Sequence, residues 1–298
     1  MDEKIFLLKI KELISKYADN VNNSNFSKEL LKKRALNLYE RVFLFNKIDR
    51  LMPKAKKAIM EHDERQRSFP FSTVWLAKGL NMAKGRMERA WFAPEGGLYV
   101  CVTIFNNLLD EYKNLYALAI PVAICEVLLE LGLYPEIRWL NDVLINDKKI
   151  SGILSESFVT KNLKEEYFLF GIGLNVNIKR FPNYLKNEAT SLYLEKKVFV
   201  DIYKIGMHIL SKIALLFSIL HEWQSLKLKE NNVDNLIIKK YKRFSKLENR
   251  KVFYGLDLEK SKGAIYVSRG ISQSGSLILS DENGEEFLVN SGEIRFID

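Results

Sequence analysis

RWLNDVLINDKKISGILSE, residues 138–156, sets two apolar runs around the polar tetrapeptide NDKK. Trp139, Val143 and Ile145 alternate as in a strand with one buried face. Asn-Asp has the chemistry of a tight turn, and Ile150, Ile153 and Leu154 open a return strand. A hairpin accounts for the turn. It leaves unexplained why polar Asn141 and Asp142 stand inside an apolar strand.

Outward from this hairpin, strand-like runs alternate with helices. Upstream lie RVFLFNKI (41–48), a helix over 53–62, FSTVWLA (71–77), GGLYVCVTIF (96–105) and a helix over 116–131. That last helix is expected to open near Pro121 and to end near Gly132. Pro121, Glu126 and Glu130 interrupt its apolar stretch, so it reads as a core helix and not as a membrane span. Downstream comes EEYFLFGIGLNVNI (165–178), then a long amphipathic helix over 199–223 and a basic helical stretch over 233–246. The 199–223 apolar stripe is assigned to core packing. Residues 1–44 read as two helices, 3–17 and about 26–40, the second capped by Asn25 or Ser27. That segment is short for a complete winged helix-turn-helix. From 250 to 298, KVFYGL, GAIYVSRGI, GSLILSDENGEEFLVN and GEIRFI are separated by Gly and Asp-Glu-Asn-Gly turns, which predicts a small antiparallel barrel. The expected class is α+β, with a helical extension at 1–40, a main domain at 41–246 and a second domain at 247–298.

The chain of 298 residues is 47% hydrophobic and 28% charged, a globular composition. Cys101 and Cys125 sit in apolar runs without CxxC spacing and read as buried free thiols in a reducing compartment. The N-terminus is charged and amphipathic, unlike a secretory signal, so a soluble cytoplasmic protein is expected. The net charge of +9 is spread along the chain, with clusters at 54–57 and 239–243. Solvated helix faces explain it better than nucleic-acid binding does, and a phosphate-bearing substrate or an acidic protein partner would suit it. His62, His208 and His221 are scattered and receive no chemistry.

Two further segments point to a ligand. In 82–99, MAKGRMERAWFAPEGGLY, Lys84, Arg86 and Arg89 surround Gly85, and Trp91 follows. This basic stretch separates two strands that a turn of two or three residues could join, which argues for function. Guanidiniums bind phosphate or carboxylate bidentately, and glycine lets backbone amides approach an anion. The third segment, GIGLNVN (171–177), ends an apolar strand with two glycines and two asparagines.

Taken together, these segments resemble the biotin protein ligase family over about residues 41–298. KGRMERAW is similar to the family's basic Gly-Arg loop ending in tryptophan. RWLNDVLINDKKISGILSE resembles its Lys-Trp-Pro-Asn-Asp motif and the Lys-x-x-Gly-Ile-Leu segment after it. GIGLNVN and EATSL (188–192) follow in the family's order, and the closing residues resemble its SH3-like C-terminal domain. The resemblance implies a class II synthetase-like catalytic domain that condenses biotin and ATP to biotinyl-5′-AMP. Biotin would then pass to a lysine of a carboxylase carrier domain, in a protein that could dimerise.

Carried over by the resemblance, Lys149 contacts the biotin carboxylate and the α-phosphate. Asn141 and Asp142 organise the metal–phosphate region, with Asp142 as the Mg²⁺ ligand. Arg86 and Arg89 close over the phosphate, while Lys84, Gly85 and Arg138 belong to substrate binding. Trp91 packs the adenine side, Asn175 contacts the nucleotide, and Gly152 and Gly173 line the biotin channel. The chain departs from the pattern where the family's Ser-Thr-Asn and Gln meet the biotin ring: Arg50, Leu51, Met52 and Leu80 stand there. Ala83 and Glu88 replace loop glycines, Lys84 and Arg138 exchange cation types, and Leu140 replaces the proline. The competing expectations are an adenylating ligase for lipoate or a fatty acid, and a non-catalytic relative that binds nucleotide or protein.

Overall fold

The computed structural model describes residues 1–21, 26–230, 233–260 and 263–297. Helices α1 (Glu3–Asp19) and α2 (Lys28–Leu36) are capped by the side chains of Asp2 and Ser27. Asn25, the other expected cap, lies outside the described residues. Then come β1 (Arg41–Phe45), α3 (Leu51–Glu64), β2 (Ser72–Ala77), β3 (Leu98–Phe105), α4 (Asn114–Glu130), β4 (Glu136–Arg138), β5 (Asp142–Ile145), β6 (Lys148–Val159) and β7 (Glu166–Leu174). A short α5 (Leu192–Lys196), α6 (Ile202–Lys227) and α7 (Leu236–Ser245) complete this part. Last are β8 (Arg250–Gly255), β9 (Ala264–Ile271), β10 (Leu277–Ser280), β11 (Glu286–Val289) and β12 (Glu293–Phe296).

The strands form two sheets. One has seven strands in the order β1-β2-β3-β7-β6-β5-β4, and β1–β2 is its parallel pair. The other is antiparallel, in the order β11-β10-β9-β8-β12. The fold is α+β with a separate all-β C-terminal sheet, as the sequence led us to expect.

Both faces of the large sheet are covered, which is why β2 and β3 read as unbroken apolar runs. Val74, Leu76, Val100 and Val102 join the core that includes α4 and α6. Trp75, Ala77, Tyr99 and Cys101 face α3 with Leu51, Ala55 and Ile59. Cys101 and Cys125 are free and buried. Among the described residues, α6 alone has the length and apolar composition of a membrane span, and 72% of that window is buried inside the fold. It is a core helix against α1, α2 and α4.

Two expectations change. Helix α4 begins at Asn114, so Pro121 lies inside it rather than at its start. Burial of Leu115, Tyr116, Leu118, Ala119 and Ile120 outweighs the roughly 3 kcal/mol that an interior proline costs. The stretch 138–145 is also not one strand. β4 and β5 pair antiparallel with Arg138 opposite Asp142, so the chain reverses through Trp139–Asn141. Tyr241 of α7 donates its hydroxyl to the Leu140 carbonyl at 2.9 Å and pins this reversal.

His221 of α6 is buried, with Nε2 3.1 Å from the Tyr116 hydroxyl. Burial, aided by nearby Arg34, pushes its pKa from 6.5 down to about 4. The folded state therefore keeps the neutral ring. Stability from this site is complete above pH 6.5 and is lost as pH falls toward 4. We expect this one group to remove about 2 kcal/mol of stability between about pH 7 and about pH 4.5. Chemical denaturation of His221→Gln should show a correspondingly shallower acid decline; an unchanged decline would reject the assignment.

Candidate active site

The reversal at 139–141 explains the two polar residues of the opening stretch. Asn141 stands in the turn. Its side-chain amide donates to the Ile153 carbonyl, and its own carbonyl accepts from Ile153 N–H at 3.1 Å. Asp142 starts β5, where Arg138 Nη2 meets one carboxylate oxygen at 2.8 Å and Lys149 Nζ meets the other at 2.6 Å. Burial would raise the Asp142 pKa, but Lys149 and Arg138 more than offset it and hold the carboxyl below its usual range.

Lys149 reaches that carboxylate because of a bulge. Asp142 pairs with Gly152 and Val143 with Ser151, but Leu144 pairs with Lys149, leaving Ile150 as the extra residue. In a regular ladder Lys149 would project from the face opposite Gly152; the extra residue turns it to the same face. The turn itself is Asn146-Asp147, both at positive φ, as a two-residue type I′ hairpin requires. Residues 188–190 clamp the lysine backbone from the other side: Lys149 N–H donates to the Glu188 carbonyl at 2.7 Å, and Thr190 N–H to the Lys149 carbonyl at 3.0 Å.

The basic segment between β2 and β3 is an arm bonded to itself. Leu80 N–H donates to Ala93 O, Trp91 N–H to Ala83 O, and Gly85 N–H to Arg89 O, at 2.8 to 3.1 Å. At its tip Met87 and Glu88 are both left-handed, with φ of 53° and 58°. Such backbone costs about 1–3 kcal/mol per residue and persists only where its surroundings impose it. Lys84 is paired with Glu88 at 3.0 Å. Arg86 donates to the Gly292 carbonyl at 2.7 Å, and Arg89 is held by Asp257, Glu259 and Glu293. The arginines expected over a phosphate are thus anchored to the C-terminal sheet.

Together the arm, the large sheet, residues 181–189 and the C-terminal sheet enclose a cavity of about 940 Å³. Lys84, Gly85, Arg86, Arg89, Trp91, Arg138, Asn141, Asp142, Lys149, Gly152, Gly173 and Asn175 all line it. Gly152 and Gly173 are paired across β6 and β7. Their missing side chains are replaced here by Trp91 and Lys149: a Cβ on Gly173 would lie 2.9 Å from Trp91 Nε1, and one on Gly152 2.8 Å from Lys149 Cε. The ammonium of Lys149 stands 5.0 Å from the Trp91 ring centre. Trp91 Nε1 and Asn175 Oδ1 are buried without a hydrogen-bond partner, although Asn175 Nδ2 donates to the Thr190 carbonyl at 3.0 Å. Two unmet polar atoms in one cavity mark it as built for a polar ligand.

Sequence reasoning missed the lining from Phe181, Tyr184 and the C-terminal residues Glu259, Glu293 and Arg295. No local pattern marks them, because only the packing of the two sheets brings them to the cavity. At the other end Arg50, Leu51, Met52 and Leu80 line the wall. Leu51 is buried with α3, and Met52 Sδ fills the space over Gly171, 2.5 Å from where a Cβ would stand. Arg50 gives α3 no side-chain cap, and Asp49 accepts from Asn81 at 2.7 Å. Among the described residues no three His, Cys, Asp or Glu side chains converge to hold a metal. Asp142, the expected Mg²⁺ ligand, has both oxygens taken by cations, Arg138 and Lys149.

Residues 73–177 match the model of the biotin/lipoate A/B protein ligase family. The bifunctional ligase/repressor BirA of Bacillus subtilis is 31% identical over 153 residues, which are 50% of this chain and 47% of that protein. The chain thus spans about half the length of the curated relatives it matches. The Escherichia coli BirA is 24% identical over 228 residues, 73% of this chain and 66% of that one. In fold, the chain is similar to the biotin protein ligase from Aquifex aeolicus in complex with biotin and ATP. The TM-score is 0.63 at 22% identity, covering 87% of this chain and 99% of that chain. The Leishmania major biotin protein ligase in complex with biotinyl-5-AMP gives 0.52 at 19% identity, over 84% and 98%.

Gly173→Ala should force the rigid indole of Trp91 off its seat, since no real Cβ tolerates a 2.9 Å contact. Trp91 fluorescence, isolated by comparison with Trp91→Phe, should shift to the red in Gly173→Ala. An unshifted spectrum would show that the indole does not rest on this glycine.

Proposed function

We propose that the protein adenylates biotin with ATP and transfers the biotinyl group to a lysine of a biotin carboxyl carrier domain. The observation that carries this reading is the Lys149 ammonium, fixed 2.6 Å from Asp142 in a cavity whose Trp91 and Asn175 each leave one polar atom unmet. In the first half-reaction a biotin carboxylate oxygen attacks the α-phosphorus and pyrophosphate leaves. Two anions must meet there, and an ammonium between them relieves the repulsion and the charge that builds as they join. Asp142 holds the lysine in place, and Arg138 balances the aspartate. Asn175 Oδ1 suits a nucleotide N–H or O–H donor, and Trp91 a flat base. In the second half-reaction the carrier lysine amine attacks the acyl carbon, AMP departs, and the nitrogen loses a proton.

Magnesium enters on the ATP phosphates, as part of the substrate. ATP and a carboxylase acceptor suit a cytoplasmic setting. Helices α1 and α2 pack on α6. A second reading, adenylation of lipoate or a fatty acid, is favoured by the apolar wall of Leu51, Met52 and Leu80.

Pyrophosphate release from ATP with biotin, lipoate, octanoate or no acid separates these readings. Biotin-dependent release supports the first, and release only with another acid supports the second. No release with any of them would reject both. Lys149→Ala should abolish release while leaving the melting temperature nearly unchanged, and turnover within about tenfold of wild type would remove the lysine from its role.

The apolar wall also makes biotin affinity a test. Three absent hydrogen bonds at about 1 kcal/mol each would weaken binding by roughly two orders of magnitude, and water could restore part of that. The combined Arg50→Ser, Leu51→Thr, Met52→Asn and Leu80→Gln variant should bind biotin about ten- to a hundredfold more tightly by calorimetry, with ATP binding little changed. Nanomolar biotin binding by the wild type would overturn this account of the wall.

A further inference from the structure

Arg89 makes three ion pairs with the C-terminal sheet and its β8–β9 connection. They are to Glu293 Oε1 at 2.7 Å, to Glu259 Oε2 at 3.1 Å and to Asp257. The carboxylates are themselves held: Glu293 Oε2 accepts from Leu258 N–H at 3.0 Å, and Asp257 Oδ1 from Glu259 N–H at 3.2 Å. The Asp257 and Glu293 side chains are 13% and 21% exposed, so this is a formed receptor and not a chance surface contact. Three residues earlier Arg86 is bonded to the Gly292 carbonyl. Between these two anchors lie Met87 and Glu88, the consecutive left-handed residues, so the strained tip is the part of the arm that the anchors span.

We propose that Arg89 with Asp257 and Glu293 is a positioning clasp, and not a phosphate ligand, through which the C-terminal sheet sets the place of the basic arm over the cavity. The clasp stands on its own geometry; its effect on nucleotide binding rests on the adenylation reading. A fork of guanidinium donors shared among three carboxylates has little left for a phosphate. Moving Arg89 to a phosphate would take the guanidinium away from the partly buried Asp257 and Glu293. With the arm held, Trp91 stays over the Gly152–Gly173 floor and Lys84 stays at the rim. Nucleotide affinity then depends on residues that never touch the nucleotide.

The test uses the full chain with Arg89→Gln, Asp257→Asn, Glu293→Gln and the triple variant. In the ligand-free protein, hydrogen exchange at 83–90 should rise about tenfold in each single variant. Binding of a non-hydrolysable ATP analogue with magnesium should weaken about tenfold in each, and the triple variant should be little worse than any single one, as expected for one shared unit. If Arg89 were instead a phosphate ligand that the carboxylates merely occupy, Asp257→Asn and Glu293→Gln would tighten the analogue, which would overturn the clasp. Unchanged exchange in the carboxylate variants would overturn it too. Should a core variant not fold, Glu259→Gln removes the most exposed partner, and wild type in high salt weakens all three pairs. Both should shift exchange in the same direction by a smaller factor, and no shift in either counts against the clasp. Faster exchange in a protein that binds no nucleotide would uphold the clasp and reject the adenylation reading.

Discussion

The ammonium of Lys149 and the carboxylate of Asp142 meet 2.6 Å apart on neighbouring strands, and the rest of the cavity is arranged around that pair. Neither group reaches the other by strand geometry alone. The extra residue at Ile150 turns Lys149 to the cavity face, and the reversal at 139–141 places Arg138 beside Asp142. The result is a cation with one firm partner and one open side. A lysine free in solution would sample many rotamers; one anchored by a carboxylate is already placed when an anion arrives. The side chain is still 28% exposed, so the pair is worth less as stability than as placement.

The second organising force is the disposal of charge in a chain of net +9. Cations gathered in one arm repel each other, and a free arm would be expected to stay loose until an anion neutralised it. Here the neutralising anions belong to the protein. Glu88 faces Lys84 within the arm, and the C-terminal sheet supplies Asp257, Glu259 and Glu293 to Arg89. Burial would raise the Asp257 carboxyl, but its bonds to Arg89 and to Glu259 N–H, with Arg89 and Lys260 charge, hold it below the usual range. The two sheets are thus coupled electrostatically at the rim of the cavity.

Chemically, the cavity has two unlike ends. Around Lys149, Asn175 and Trp91 there are fixed charges and unmet polar atoms. Around Leu51, Met52 and Leu80 the wall is apolar, and the methionine occupies space opened by Gly171. An unbranched thioether adapts its shape at little cost, so this end offers hydrophobic contact but few directional bonds. On the adenylation reading proposed above, specificity for the acid and activation of the acid are separable in such a site.

Much of the fold was legible in the sequence, because the patterns involved are local. Apolar runs of strand length, the 3.6-residue stripe of α6, the Asn146-Asp147 turn and the change of texture after residue 250 each depend on neighbours a few positions apart. Ordered motifs likewise point to Lys149, Asp142, Trp91 and Asn175 as one site. Other features depend on partners distant in the chain, and only the tertiary structure decided them. Burial of α4 overrode the proline signal at Pro121. Tyr241 and Ile153, far from the 139–141 turn or across the next strand, hold a reversal that an alternating apolar pattern concealed. The bulge at Ile150 was invisible because one extra residue leaves composition unchanged while reversing the face of every side chain beyond it. Arg89 reads as a free cation in the sequence; its three carboxylates come from positions 257 to 293, and packing of the two sheets is what brings them within reach.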